Sequence, residues 1–168
     1  MHSTLQLIIK TIFYWLILTT SICSMADVPA IILDHNSKQM ALGNHASYLE
    51  DADGTYTLND IIQLAPSNFD LLTEESLNKG FTNSTYWLKF SIIDKTLDGK
   101  TQSWKIETTY PLLDHLDIYI LDEYKNVEYF KMGDVYLYEE RPVNHRNFIV
   151  PVSLHDSEQK DIYIRVNT

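Results

Sequence analysis

Cysteine is nearly absent from this sequence: 168 residues contain one, Cys23. It falls in an apolar N-terminal stretch, so residues 27–168 contain none. That excludes disulfides, thiolate zinc centres and cysteine nucleophiles from the bulk of the chain. Glycine and proline are sparse, five of each, which sets aside collagen-like and low-complexity chains. Positive charge is in deficit, with 13 Lys+Arg against 23 Asp+Glu and a formal net charge of −10. Such a surplus repels phosphate backbones and anionic lipid at long range, so nucleic acid is not an expected partner. What is present is a chain 45% hydrophobic and 12% aromatic. At this length a chain hides roughly 70% of its unfolded surface, enough for a real core.

The N-terminus reads as an address. Lys10 precedes an uncharged run from Thr11 to about Cys23, shorter than the ~20 apolar residues that cross a bilayer. Ser24-Met25-Ala26 places small residues where a signal peptidase needs them. Residues 1–26 are therefore expected to be a secretory signal peptide and residues 27–168 one exported domain. An uncleaved anchor is the alternative. Ile22 is not the small residue that a lipoprotein signal carries before its cysteine, which argues against lipidation of Cys23.

Within that domain AIILDHNS reads as a short strand over 30–34 and HASYLED as a second extended segment. Asp51-Ala52-Asp53-Gly54 then turns the chain. The turn superficially resembles a calcium loop, but position 1 would be Leu49 and position 12 would be Asp60 in place of the bidentate glutamate, so a plain Asp-Gly turn is expected. Thr57 and Asp60 form a capping pair ahead of LNDIIQLA, and Pro66 stops that run, which predicts one helix of about two turns. LLTEESLNKG is a weak helical or irregular piece ending at Gly80. From Tyr86 the apolar period becomes two. In YWLKFSII, Tyr86, Leu88, Phe90 and Ile92 share one face. A hairpin-type connection over 95–101 leads to SWKIETTY, and HLDIYIL, NVEYFKM, NFIVPVSL and DIYIRV alternate in the same way. Short strands with one apolar face predict an all-β antiparallel sandwich with one short helix. Pro111 and Pro151 belong at a strand end, bulge or edge. The last strand runs almost to Thr168 without a closing turn, so the chain is expected to be the front part of something longer.

No nucleophile elbow, Walker loop, dinucleotide fingerprint or zinc-protease helix occurs, and the histidines show no metal-ligand spacing. No metal or cofactor is expected. Glu107, Asp114 and Asp117 are the carboxylates available to a glycosidase-like enzyme. Their abundance makes solvent-facing strand ends the simpler reading. A more suggestive pattern is the second face of the late strands, where Trp87, Tyr119 and Tyr163 accompany Glu107, Asp117 and Arg165. Flat rings beside fixed charges suit a small ligand. The competing reading is that Trp87 fills core, with the tyrosines as its cross-strand neighbours. Arg141, His145 and Arg146 are the basic cluster and candidates for an anionic group, or for salt bridges to surplus acids.

An ordered series then stands out: Leu77-Asn78-x-Gly80-Phe81, Ser84-Thr85-Tyr86-Trp87-Leu88-Lys89-Phe90, Trp104, Pro111-Leu112-Leu113-Asp114, Asp117-x-Tyr119, Gly133-Asp134, Arg141, Phe148-x-x-Pro151 and Tyr163-x-Arg165-Val166. From about Ile31 onward the chain resembles the type-two extracellular domain of bacterial seven-transmembrane receptors with diverse intracellular signalling modules. Gly80, Trp87, Trp104, Pro111, Gly133 and Arg165 match family positions. The resemblance implies a periplasmic jelly-roll sandwich similar to carbohydrate-binding modules. It also implies a noncatalytic sensor of a small molecule such as a carbohydrate, partnered in the full receptor by a transmembrane signalling region with a diguanylate cyclase or histidine kinase output. The residues themselves leave two other readings open: a secreted glycoside hydrolase-like enzyme, and a free-standing protein-interaction sandwich using exposed strand edges.

Overall fold

The computed structural model describes residues 28–80 and 82–167. The expected signal peptide with Cys23, and Phe81 of the ordered series, lie outside the described residues. The elements are β1 (Ile31–Leu33), β2 (Ser47–Asp51), α1 (Leu58–Gln63), β3 (Asp70–Leu71), β4 (Thr85–Asp94), β5 (Gln102–Thr108), β6 (His115–Leu121), β7 (Val127–Met132), β8 (Phe148–Leu154) and β9 (Gln159–Asn167), with single 3-10 turns between some of them. The architecture is an all-β sandwich with one short helix, as the alternation predicts.

The larger sheet runs β3-β2-β4-β9-β6-β7, and β1 adds a short parallel pairing to β4; β5 and β8 pair with each other as the second sheet. Alternation decides which side chains meet between the sheets. Leu88, Phe90 and Ile92 of β4, Ile162 and Ile164 of β9, and Leu116, Ile118 and Ile120 of β6 face Phe148, Val150, Val152 and Leu154 of β8 across one buried core. Trp104 and Ile106 of β5 pack against it from partly buried positions.

The connection over 95–101 differs from the hairpin the sequence suggests. Asp98-Gly99 does turn, with Gly99 at φ 73°, but β4 and β5 belong to different sheets. Both edges of β4 are already occupied, one by β1 and β2 and the other by β9, so β5 has no place beside it and the chain crosses the sandwich. Asp156 holds that crossover by accepting from the Gly99 N–H at 2.7 Å. LLTEESLNKG forms no helix. Its first residue, Leu71, ends β3 opposite Ser47, and the Leu72 N–H donates to the Ala46 carbonyl at 2.9 Å, so strand pairing takes the backbone groups with which a helix would begin. α1 is capped as expected, the Thr57 side chain accepting from the Asp60 N–H while the Asp60 carboxylate accepts from the Thr57 N–H. Pro151 lies within β8, paired only to β5 in a two-stranded sheet, where a missing donor is tolerated.

Gly133 ends β7, and its backbone is pressed against the chain entering β6. At φ 143° an added Cβ would overlap the Asp114 carbonyl. Gly80, at φ 66°, has open space where its Cβ would stand. We predict that Gly133→Ala lowers the unfolding free energy by about 3 kcal/mol, the cost of forcing backbone apart, whereas Gly80→Ala costs about 1 kcal/mol from its left-handed backbone alone. Urea unfolding of the two variants measures both; equal losses would contradict the assignment of Gly133 as a contact glycine.

Candidate functional site

The outward face of the larger sheet is built in rows by strand register. One row crosses Leu49, Trp87, Arg165, Asp117 and Lys131. The next crosses Lys89, Tyr163, Tyr119 and Tyr129. Five of the residues singled out from sequence, Trp87, Asp117, Tyr119, Tyr163 and Arg165, therefore share one face of one sheet, because β4, β9 and β6 are direct neighbours.

They do not share one exposure. Trp87 is only 1% exposed and Tyr163 4%; both sit in a second small core with Ile61 of α1, Phe69 and Leu121. The two-turn helix is too short to stand alone, and its buried Ile61 is what closes this patch. From Trp87 the rings continue outward. Tyr119 stacks on Trp87 with centroids 5.9 Å apart, and Tyr129 stacks on Tyr119 at 4.8 Å. Tyr129 ends the series 49% exposed on the edge strand β7. Its hydroxyl donates to Asp117 Oδ1 at 2.7 Å. Burial and the neighbouring Asp117 carboxylate raise the phenol pKa of both Tyr119 and Tyr129, Tyr129 strongly because it donates to that carboxylate.

Arg165 links the face to the loop above it. Its Nη1 donates to Asp117 Oδ2 at 3.3 Å and its Nη2 to the Gly54 carbonyl, also at 3.3 Å. Asp117 thus receives both Tyr129 and Arg165, which compensates for holding a carboxylate in a largely buried position. Gly54, at φ 64°, lets the Asp51–Gly54 turn come down onto the sheet, since a Cβ there would stand 3.0 Å from Thr85 Oγ1.

Beside Arg165 the face opens into a cleft of about 330 Å³ lined by Asp53, Gly54, Asn83, Thr85, His115, Arg165 and Asn167. Its floor is another register row: His115 lies opposite Asn167, and Asn167 Nδ2 donates to Thr85 Oγ1 at 3.2 Å. Asp53 and Asn83 approach from the loops. In the sequence Asp53-Gly54 marks only a turn, and no spacing joins it to Asn83 or His115. Their convergence depends on β4, β9 and β6 ending at the same end of the sheet, which local pattern does not encode.

The remaining candidates lie elsewhere. Glu107 is on β5, in the other sheet, and accepts from Asn147 Nδ2 at 2.6 Å. Arg141 Nη1 donates to the carbonyls of His145 and Arg146 at 3.0 and 2.9 Å, and its guanidinium lies over the rings of Phe148 and Tyr138. It holds the β7–β8 loop closed. His145 Nδ1 accepts from the Asn147 N–H at 3.1 Å, and Arg146 is exposed. Glu107 and this basic loop thus form a second group joined through Asn147, separate from the outward face. Among the described residues no three or more His, Asp or Glu side chains gather as a metal site.

The shifted phenol gives a pH prediction. A proton held more tightly in the folded state contributes stability that is full below the ordinary tyrosine value of 10.0 and is lost as pH rises through the raised folded value. Unfolding free energy should therefore decline above about pH 10, and Tyr129→Phe should reduce that decline. Denaturant titrations at stepped pH test this; an unchanged pH dependence in the variant would contradict it.

Comparison with curated proteins gave no match. The model of one family, 7TMR-DISM extracellular 2, matches residues 43–168. No helix among the described residues is long and apolar enough to cross a membrane. Three quarters of the sequence, including every residue of the cleft and of the outward face, falls within the match, and the chain belongs to the 7TMR-DISM extracellular 2 family, the extracellular sensor domains of transmembrane receptors.

Proposed function

We propose that this chain is a noncatalytic, periplasmic ligand-sensing domain, the input module of a membrane signalling receptor, and that its ligand is a small polar molecule, with carbohydrates the leading class. The observation that carries the reading is the cleft at the end of the outward face. Three strands supply its floor, Thr85 from β4, Arg165 and Asn167 from β9 and His115 from β6. A floor made of paired strands keeps polar groups in place before a ligand arrives, which lowers the ordering cost of binding. Its volume is at the small end of the usual range for small-molecule sites.

Placement of Glu107 and Asp117, two of the three candidate acids, supports this reading over a glycosidase that would pair them. Glu107 and Asp117 take outward positions on opposite sheets with the main core between them. Sheets pack about 10 Å apart, and outward side chains are farther apart still, beyond the ~5–9.5 Å that paired glycosidase carboxylates need. Asp117 is also engaged by Tyr129 and Arg165. The interaction-module reading has its own support in β7, an edge strand bearing Val127 at 48% exposure and Tyr129 at 49%. An edge with apolar side chains can accept another strand.

A thermal-unfolding panel of monosaccharides, amino acids and small carboxylates tests the sensor reading. A true ligand present at about 100 times its Kd should stabilise the protein by ~2.7 kcal/mol, a shift of several degrees. Absence of a shift with every compound at millimolar concentration would overturn it.

A further inference from the structure

Hydrogen-bonding capacity in the cleft is unevenly used. Arg165 directs Nη1 and Nη2 to Asp117 and the Gly54 carbonyl. Asn167 Nδ2 is on Thr85, and His115 Nδ1 meets the Tyr136 hydroxyl at 3.2 Å. Asp51, below the turn, is only 3% exposed and accepts from the Thr55 and Tyr56 N–H groups. Asp53 and Asn83, by contrast, line the cleft and make no hydrogen bond or ion pair among the described residues. The groups left for a ligand are thus the Asp53 carboxylate, the Asn83 amide, the Asn167 carbonyl, the Thr85 hydroxyl proton, the second ring nitrogen of His115 and the N–H groups that Arg165 does not spend on Asp117 and Gly54. Of the two full charges in the lining, that of Arg165 is paired with Asp117 and that of Asp53 has no ion-pair partner among the described residues, so the unmatched charge is negative.

The surroundings reinforce that sign. The Arg165 charge is matched by Asp117 at 3.3 Å, and the chain carries a formal charge of −10. A small anion would approach against the field of the whole protein, whereas a cation is drawn in. We propose that the cleft takes a small hydroxylated primary amine, its ammonium held by Asp53 and its hydroxyls by Asn83, Thr85 and Asn167. The inference rests on the ligand-sensing reading and assigns that site its ligand chemistry. An ammonium supplies three donors to a carboxylate that supplies only acceptors, and a charge-assisted contact of this kind is stronger than a neutral one. An amino sugar and an open-chain amino alcohol both present this chemistry.

Isothermal titration at about pH 6, below the usual range for an α-amino group, separates the outcomes. The probes are D-glucosamine, N-acetyl-D-glucosamine, D-glucose and 2-amino-1,3-propanediol. Glucosamine should bind about tenfold more tightly than glucose or the N-acetyl form, a factor typical of one charged hydrogen bond. Asp53→Asn should remove that advantage, and Asn83→Ala should weaken glucosamine and glucose alike. Equal binding of glucosamine and 2-amino-1,3-propanediol supports the amino-alcohol source, and preference for glucosamine supports the ring. Glucose binding as tightly as glucosamine, with Asp53→Asn changing neither, would overturn the amine assignment and leave the sensor reading standing. So would failure of all four probes alongside a stabilising compound from the wider panel. Asp53 is exposed in a turn, and a melting curve of each variant confirms that it is folded.

Discussion

The pairing of β9 on both sides is the constraint on which the rest of the molecule depends. Its residues are in antiparallel register with β4 along one edge and β6 along the other. A strand held this way cannot slip by one residue without turning its whole apolar set out of the core. Register therefore fixes two surfaces at once. Ile162 and Ile164 point inward against β8, so Tyr163, Arg165 and Asn167 must point outward, and each finds its neighbours on β4 and β6 already placed.

The outward face is then divided by α1. Where Ile61 and Phe69 cover it, Trp87 and Tyr163 become a second core. Where the cover ends, the aromatic series emerges at Tyr129, and on the other side of Arg165 the polar cleft begins. Arg165 stands at the boundary, tied to the sheet through Asp117 and to the turn through the Gly54 carbonyl. Removing its side chain would leave Asp117 with one partner and free the turn that carries Asp53, so the fold and the candidate site meet in this residue.

Much of this was legible in the sequence because it follows from local rules. Period-two alternation marked the strands from Tyr86 onward, and Thr57 with Asp60 and Pro66 marked the helix and its limits. The ordered series identified the family, and grouping Trp87, Tyr119 and Tyr163 with Asp117 and Arg165 anticipated one outward face. What was hidden is non-local. Glu107 alternates just as Asp117 does, but its strand joins the other sheet because both edges of β4 are filled. Arg141 reads as part of a basic patch, yet its guanidinium is turned back onto the carbonyls of its own loop. The cleft residues come from four separate segments, and no local spacing joins them. Only the common end of β4, β9 and β6 brings Thr85, Asn167 and His115 into one row.

Amide hydrogen exchange, measured on the whole protein with and without saturating D-glucosamine, tests most directly the claim that the outward end of β9 is the sensing surface. Slowed exchange is expected in the Asp51–Thr55 turn, at Asn83–Thr85 and at Arg165–Asn167, with β5 and β8 unchanged. Protection confined to β5, β8 or the loop closed by Arg141 would contradict it.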